Sequence, residues 1–141
     1  MKRLLAALAL TIGCGGGSGP DLSRFEGTWN GNLSSTVVCG TQSQSGNSTD
    51  SITLSAGSGA DLQYLSNAGC LFKFNVSGGT ASLSNAPVTC STTSNGTVLA
   101  LNFSSYSLST SDGHHLTANA TATIASGGQT CNLVITGSAT R

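Results

Sequence analysis

The chain has 141 residues, only 7% of them charged, with five basic against five acidic side chains and a formal net charge of zero. That length supports one domain with a real core and is too short for two. A few scattered cations cannot build the basic face that a phosphate backbone requires, so nucleic acid is excluded as a partner.

Lys2 and Arg3 open the chain, residues 4–12 form an apolar run, and Gly13-Cys14 follows with glycines behind it. A cationic start, a short apolar stretch and small residues are the order of a secretory signal, and the run is too short to span a bilayer as a helix. The Gly13-Cys14 junction resembles the lipobox of bacterial lipoproteins, in which the signal is cut before the cysteine and lipid is attached to it. Gly13 holds the small-residue position, while Thr11 stands where that box usually has leucine, with Leu10 one residue further back. The resemblance implies a signal peptide over 1–13, lipidation at Cys14, a flexible tether over 14–24, and residence in the bacterial cell envelope, anchored at the outer membrane. Each acyl chain would contribute about 0.8 kcal/mol per buried methylene to that anchoring. An ordinary cleaved signal, cut within 15–19, is the alternative. Beyond residue 13 the cations are Arg24, Lys73 and Arg141 and the acids Asp21, Glu26, Asp50, Asp61 and Asp112. Solubility must therefore come from Ser, Thr, Asn and Gly.

From Phe25 to residue 141 the sequence reads as one all-β domain, because no stretch has helical periodicity and several alternate strictly. Ile52, Leu54 and Ala56 share one face of a run, and Phe72, Phe74 and Val76 share another. Leu99, Leu101 and Phe103 alternate too, but Tyr106 and Leu108 take the opposite parity, which implies a bulge near Ser104-Ser105. Leu116, Ala118, Ala120, Ala122 and Ile124 form the clearest face, with threonines and Asn119 opposite. Gly57-Ser58-Gly59, Gly78-Gly79, Asn95-Gly96, Asp112-Gly113 and Gly127-Gly128 supply turn chemistry between these runs. The strands predicted are 27–39, 49–56, 61–67, 70–77, 80–92, 97–109, 114–125 and 129–138. The fifth is interrupted around Pro87, which removes a ladder donor. Short connections between about eight strands predict an antiparallel meander, closed as a barrel or folded as a β-sandwich.

With Cys14 set aside, Cys39, Cys70, Cys90 and Cys131 are an even set in an exported chain and read as two disulfides. No Cys-x-x-Cys spacing occurs, so no metal site is expected. If the strands alternate up and down, all four cysteines fall at one end, on inward parity with Val37, Phe72, Val88 and Leu133. A nine-strand count, made by splitting the fifth strand at Pro87, is expected to scatter them. Hairpin adjacency favours Cys70–Cys90, and barrel closure favours Cys39–Cys131. Cys39–Cys70 with Cys90–Cys131 is the rival pairing.

Phe25-Glu26-Gly27-Thr28-Trp29 resembles the Gly-x-Trp opening of the lipocalin and avidin barrels, where the tryptophan plugs the floor at the start of the first strand. In lipocalins an arginine after the last strand covers that tryptophan, and the resemblance gives Arg141 this place. The chain departs from avidins in having one tryptophan, and Gly31 sits where the avidin strand carries a polar biotin contact, so no ligand residues carry over. A small barrel either fills with side chains or holds one small ligand. The candidate lumen residues are Trp29, Tyr64, Phe72, Phe74 and Phe103, opposite the thin wall of Ala118, Ala120 and Ala122.

Catalytic signals are sparse. His114-His115 follows the Asp112-Gly113 turn, but consecutive strand residues point to opposite faces, and a solvated hairpin explains them. No serine lies in a Gly-x-Ser-x-Gly elbow, and Glu26 is the sole glutamate. Sequons at Asn32, Asn47, Asn75, Asn95, Asn102 and Asn119 arise by chance in so Ser/Thr-rich a chain. The expectation is a non-catalytic, lipid-anchored module without cofactor, acting on an unknown protein or envelope polymer. A lipocalin-like carrier of a small apolar ligand is the alternative.

Overall fold

A computed structural model describes residues 19–141, so the predicted signal, Cys14 and residues 15–18 of the tether lie outside the described residues. Asp21 caps a three-residue 3-10 turn, Leu22–Arg24, whose Leu22 packs against the core. Nine strands follow: β1 (Gly27–Cys39), β2 (Gln42–Ala56), β3 (Leu62–Leu65), β4 (Leu71–Ser77), β5 (Thr80–Leu83), β6 (Val88–Ser94), β7 (Thr97–Ser109), β8 (His115–Ser126) and β9 (Gln129–Thr140).

All pairings are antiparallel, and the strands form one sheet in the order β5-β4-β3-β2-β1-β9-β8-β7-β6. The pairing of Thr80–Ser82 in β5 with Ser107–Ser109 in β7 closes a ring of hydrogen bonds through eight strands. Two expectations need correction here. The predicted strand 80–92 is broken into β5 and β6, with Ser84–Pro87 between them, because proline cannot donate to the ladder. The break does not scatter the cysteines, because β5 and β6 both run antiparallel to β7 and therefore in one direction. The register places Cys90 opposite Leu101, Leu101 opposite Ile124, and Ile124 opposite Cys131. Cys39 is bonded to Cys131 (Cα–Cα 4.5 Å) and Cys70 to Cys90 (5.3 Å).

β2 begins at Gln42 and not near residue 49. Gly40, at φ 61°, turns the chain tightly enough for Cys39 to pair with Gln42 at the head of a 13-residue ladder. Gln42–Thr49 shows no apolar alternation because both faces of this stretch meet solvent. Strand β3 pairs with β2 only at Ser55 and Ala56. The outer edge of β2 above that point thus carries no neighbour among the described residues.

The β7–β8 ladder slips between Phe103 and Ser105, and that slip keeps Phe103, Tyr106 and Leu108 on the inner face. Each sits across from an alanine: Phe103 from Ala122, Tyr106 from Ala120, Leu108 from Ala118. The thin wall accommodates these large side chains. Phe72 stacks on Tyr64 (5.8 Å between centroids) and meets Phe103 and Tyr106 edge-on at 4.9 and 5.0 Å, while Phe74 meets Tyr106 at 5.3 Å. Aromatic rings thus cluster in the middle of the ring.

One end is sealed. Trp29 and Phe25 are fully buried, and the indole Nε1 donates to the Phe25 carbonyl at 2.7 Å. The Arg141 guanidinium lies over the Trp29 ring, 4.5 Å from its centre. Its Nε donates to the Gly113 carbonyl at 2.6 Å, Nη2 to that of Ser23 at 2.8 Å, and Nη1 to that of Glu26.

Candidate functional site

The eight candidate lumen residues are all buried, but they do not converge on one site. Trp29 and Ala118 border a gap of about 20 Å³ above the sealed end. Tyr64, Phe72, Phe103 and Ala120 line a separate cavity of about 170 Å³, nearer the disulfides, whose wall includes Cys70. Phe74 and Ala122 line neither and serve as packing.

Tyr106 and Asp50 also line the cavity of about 170 Å³, and neither is among the candidate lumen residues. Tyr106 enters the sequence analysis only through its parity, and Asp50 only as one of the five acids. Asp50 lies on β2 on the same face as Ile52 and Leu54, and that shared parity was the signal available. It pairs across the ladder with Gly31, which has no side chain to cover it. Asp50 borders the cavity together with Leu33, Ile52, Tyr64 and Tyr106. Burial, and then the negative charge of Asp50, raise the Tyr64 pKa above the ordinary phenol value. Tyr106 is raised further, by burial first, then by Tyr64 and Asp50.

A second feature lies on the outer face of β2, β1 and β9. Asn32, Ser34, Asn47, Thr49, Thr136 and Ser138 line an open depression of about 640 Å³. All six belong to the outward parity of their strands, opposite Leu33, Ile52 and Leu133 on the inward one. Elsewhere on the outer faces hydroxyls pair across strands, as in Thr36–Ser45 (2.9 Å), Ser105–Thr121 (2.6 Å) and Ser109–Thr117 (2.5 Å).

The histidine hairpin sits at the sealed end. Asp112 accepts from the His114 and His115 backbone N–H groups, each at 2.8 Å, and its other oxygen lies 2.6 Å from His115 Nδ1. The His114 backbone bond, then the His115 side chain, then the His115 backbone bond hold the Asp112 carboxyl well below the usual carboxylate range. His114 and His115 are exposed, and among the described residues no three His, Cys, Asp or Glu side chains gather as metal ligands would. Among the same residues no helix is long and apolar enough to cross a membrane.

No family model matches the chain, and no curated protein matches it. Among solved structures it is similar to a protein of unknown function of the DUF3598 family from Nostoc punctiforme. The identity is 7% and the TM-score 0.46, over 86% of this chain and 49% of that one. The chain thus spans about half the length of that protein.

Proposed function

We propose that the chain is an exported bacterial lipoprotein, held in the cell envelope by lipid on Cys14, whose β-domain is a non-catalytic surface module that engages an envelope polymer or a protein. The observation that supports this reading is the outer depression of Asn32, Ser34, Asn47, Thr49, Thr136 and Ser138. Six uncharged amide and hydroxyl side chains on three adjacent strands offer donors and acceptors at the density of a hydroxyl-rich chain and present no formal charge to it. The two disulfides fit an oxidising location outside the cytoplasm. The Gly13-Cys14 junction supplies the tether.

Fractionation and co-sedimentation test it. Wild type is expected with the membranes and to co-sediment with isolated envelope polysaccharide or peptidoglycan. Cys14→Ala should move to the soluble fraction, and the pair Asn32→Ala with Asn47→Ala should weaken co-sedimentation without lowering stability. Fatty-acid labelling that survives Cys14→Ala would remove the anchor from the account. A second reading, carriage of one small ligand in the lumen, draws its support from the cavity of about 170 Å³ beside Phe72.

A further inference from the structure

Asp50 puts a carboxylate in a wall that is otherwise apolar and aromatic apart from Ser66, and the fold gives it no counter-charge. Its one side-chain hydrogen bond among the described residues comes from the Ser51 N–H, at 2.8 Å. The cations of the described chain are engaged elsewhere. Arg24 pairs with Asp21 at 3.5 Å, Lys73 Nζ donates to the Ser58 carbonyl at 2.7 Å, and Arg141 seals the far end. Neither phenol, of Tyr64 or of Tyr106, is hydrogen-bonded to a described residue, and both feel the Asp50 charge.

A half-buried carboxylate without a counter-charge beside aromatic rings has the chemistry that recognises a cation. Coulomb attraction strengthens as water is excluded, and the ring faces add a cation–π term. The same charge repels carboxylates, so fatty acids and other anions are poor occupants. Size narrows the class further. The cavity holds about 170 Å³, close to the roughly 150 Å³ apolar cavity that accepts one benzene.

We propose that this cavity binds a small organic cation, an ammonium group on a short aryl or alkyl body, with Asp50 as counter-ion and Tyr64, Phe72 and Tyr106 as its wall. The inference rests on the reading of the lumen as a ligand cavity. It differs from that reading in assigning the ligand a positive charge.

Three probes of one shape separate the two. The full processed protein, held in lipid nanodiscs, is titrated by NMR with benzylammonium, benzyl alcohol and benzoate at neutral pH. Benzylammonium is expected to bind about tenfold more tightly than benzyl alcohol, with benzoate weakest. In Asp50→Asn the amine should lose that advantage while the alcohol binds as before. The ranking of the probes on the unaltered protein decides the charge preference whether or not the variant folds. If benzyl alcohol binds as well as the amine, or if a folded Asp50→Asn keeps the preference, the cation site is overturned and the lumen reading stands. If no probe binds, both fall.

Discussion

Replacing Arg141 with alanine opens the sealed end of the ring, and the cost can be worked from its contacts. The guanidinium sits 4.5 Å from the centre of a fully buried indole and donates to three backbone carbonyls, those of Gly113, Ser23 and Glu26. The cation–π contact is worth about 1 kcal/mol in a partly desolvated setting. A hydrogen bond from a charged donor contributes about 1.5–3 kcal/mol, toward the lower end at a half-buried site, and much less where water replaces the donor, as it can at the exposed Ser23 and Glu26. The half-buried Gly113 bond therefore dominates the polar part. The sum is about 2–3 kcal/mol. Urea unfolding followed by Trp29 fluorescence reads both consequences, a lower midpoint at unchanged slope and a red-shifted native emission as water reaches the indole. Arg141→Lys keeps the charge but cannot reach three carbonyls at once, so it should recover only part of the loss. A change below about 0.5 kcal/mol, with native emission unmoved, would refute the claim that Arg141 closes this end.

The disulfides close segments of 92 and 20 residues. Chain entropy then assigns about 4.6 kcal/mol to Cys39–Cys131 and about 3.3 kcal/mol to Cys70–Cys90. Each double alanine variant should lower the denaturation midpoint, and an unchanged midpoint for either contradicts the clamp. Gly31→Val should destabilise by about 1–3 kcal/mol through overpacking, since a Cβ at Gly31 meets the Ser138 carbonyl and lies 2.6 Å from the Ala139 Cα. A melting temperature equal to wild type would show that β1 and β9 are not so closely apposed. Asp112 has a folded-state pKa below its ordinary value, so its contribution is present above about pH 4 and disappears as pH falls through the folded value. Asp112→Asn should therefore be less stable than wild type at neutral pH and converge with it in acid; parallel stability curves from pH 7 to about 2 would count against the turn contacts.

Much of the sheet was legible because alternation and turn chemistry report burial and backbone shape directly. The run from Leu116 to Ile124 alternates because one face lies against the lumen, and Gly127-Gly128 turns β8 into β9 with both residues at positive φ. The reversal of parity at Tyr106 marked a slip of one residue in the β7–β8 ladder. Gln42–Thr49 was not legible, since a hairpin arm exposed on both faces leaves no apolar period to read. The break at Ser84–Pro87 was visible as a proline, but its consequence was not. Only the pairing of β5 and β6 with one strand shows that chain direction is kept. Asp50 was overlooked because one acid at the end of an apolar face resembles a strand terminus. Its place in the cavity wall follows from the curvature that carries β3, β4 and β7 around to meet it.

The proposed exported, lipid-held body, clamped by two sulfur bridges, makes a definite demand on the mature molecule. Intact and peptide mass spectrometry of material purified from its native envelope, without reduction, measures it in one experiment. The account predicts an acylated chain beginning at Cys14, with linked peptides joining Cys39 to Cys131 and Cys70 to Cys90. An unacylated chain beginning at Met1 with four free thiols would contradict it.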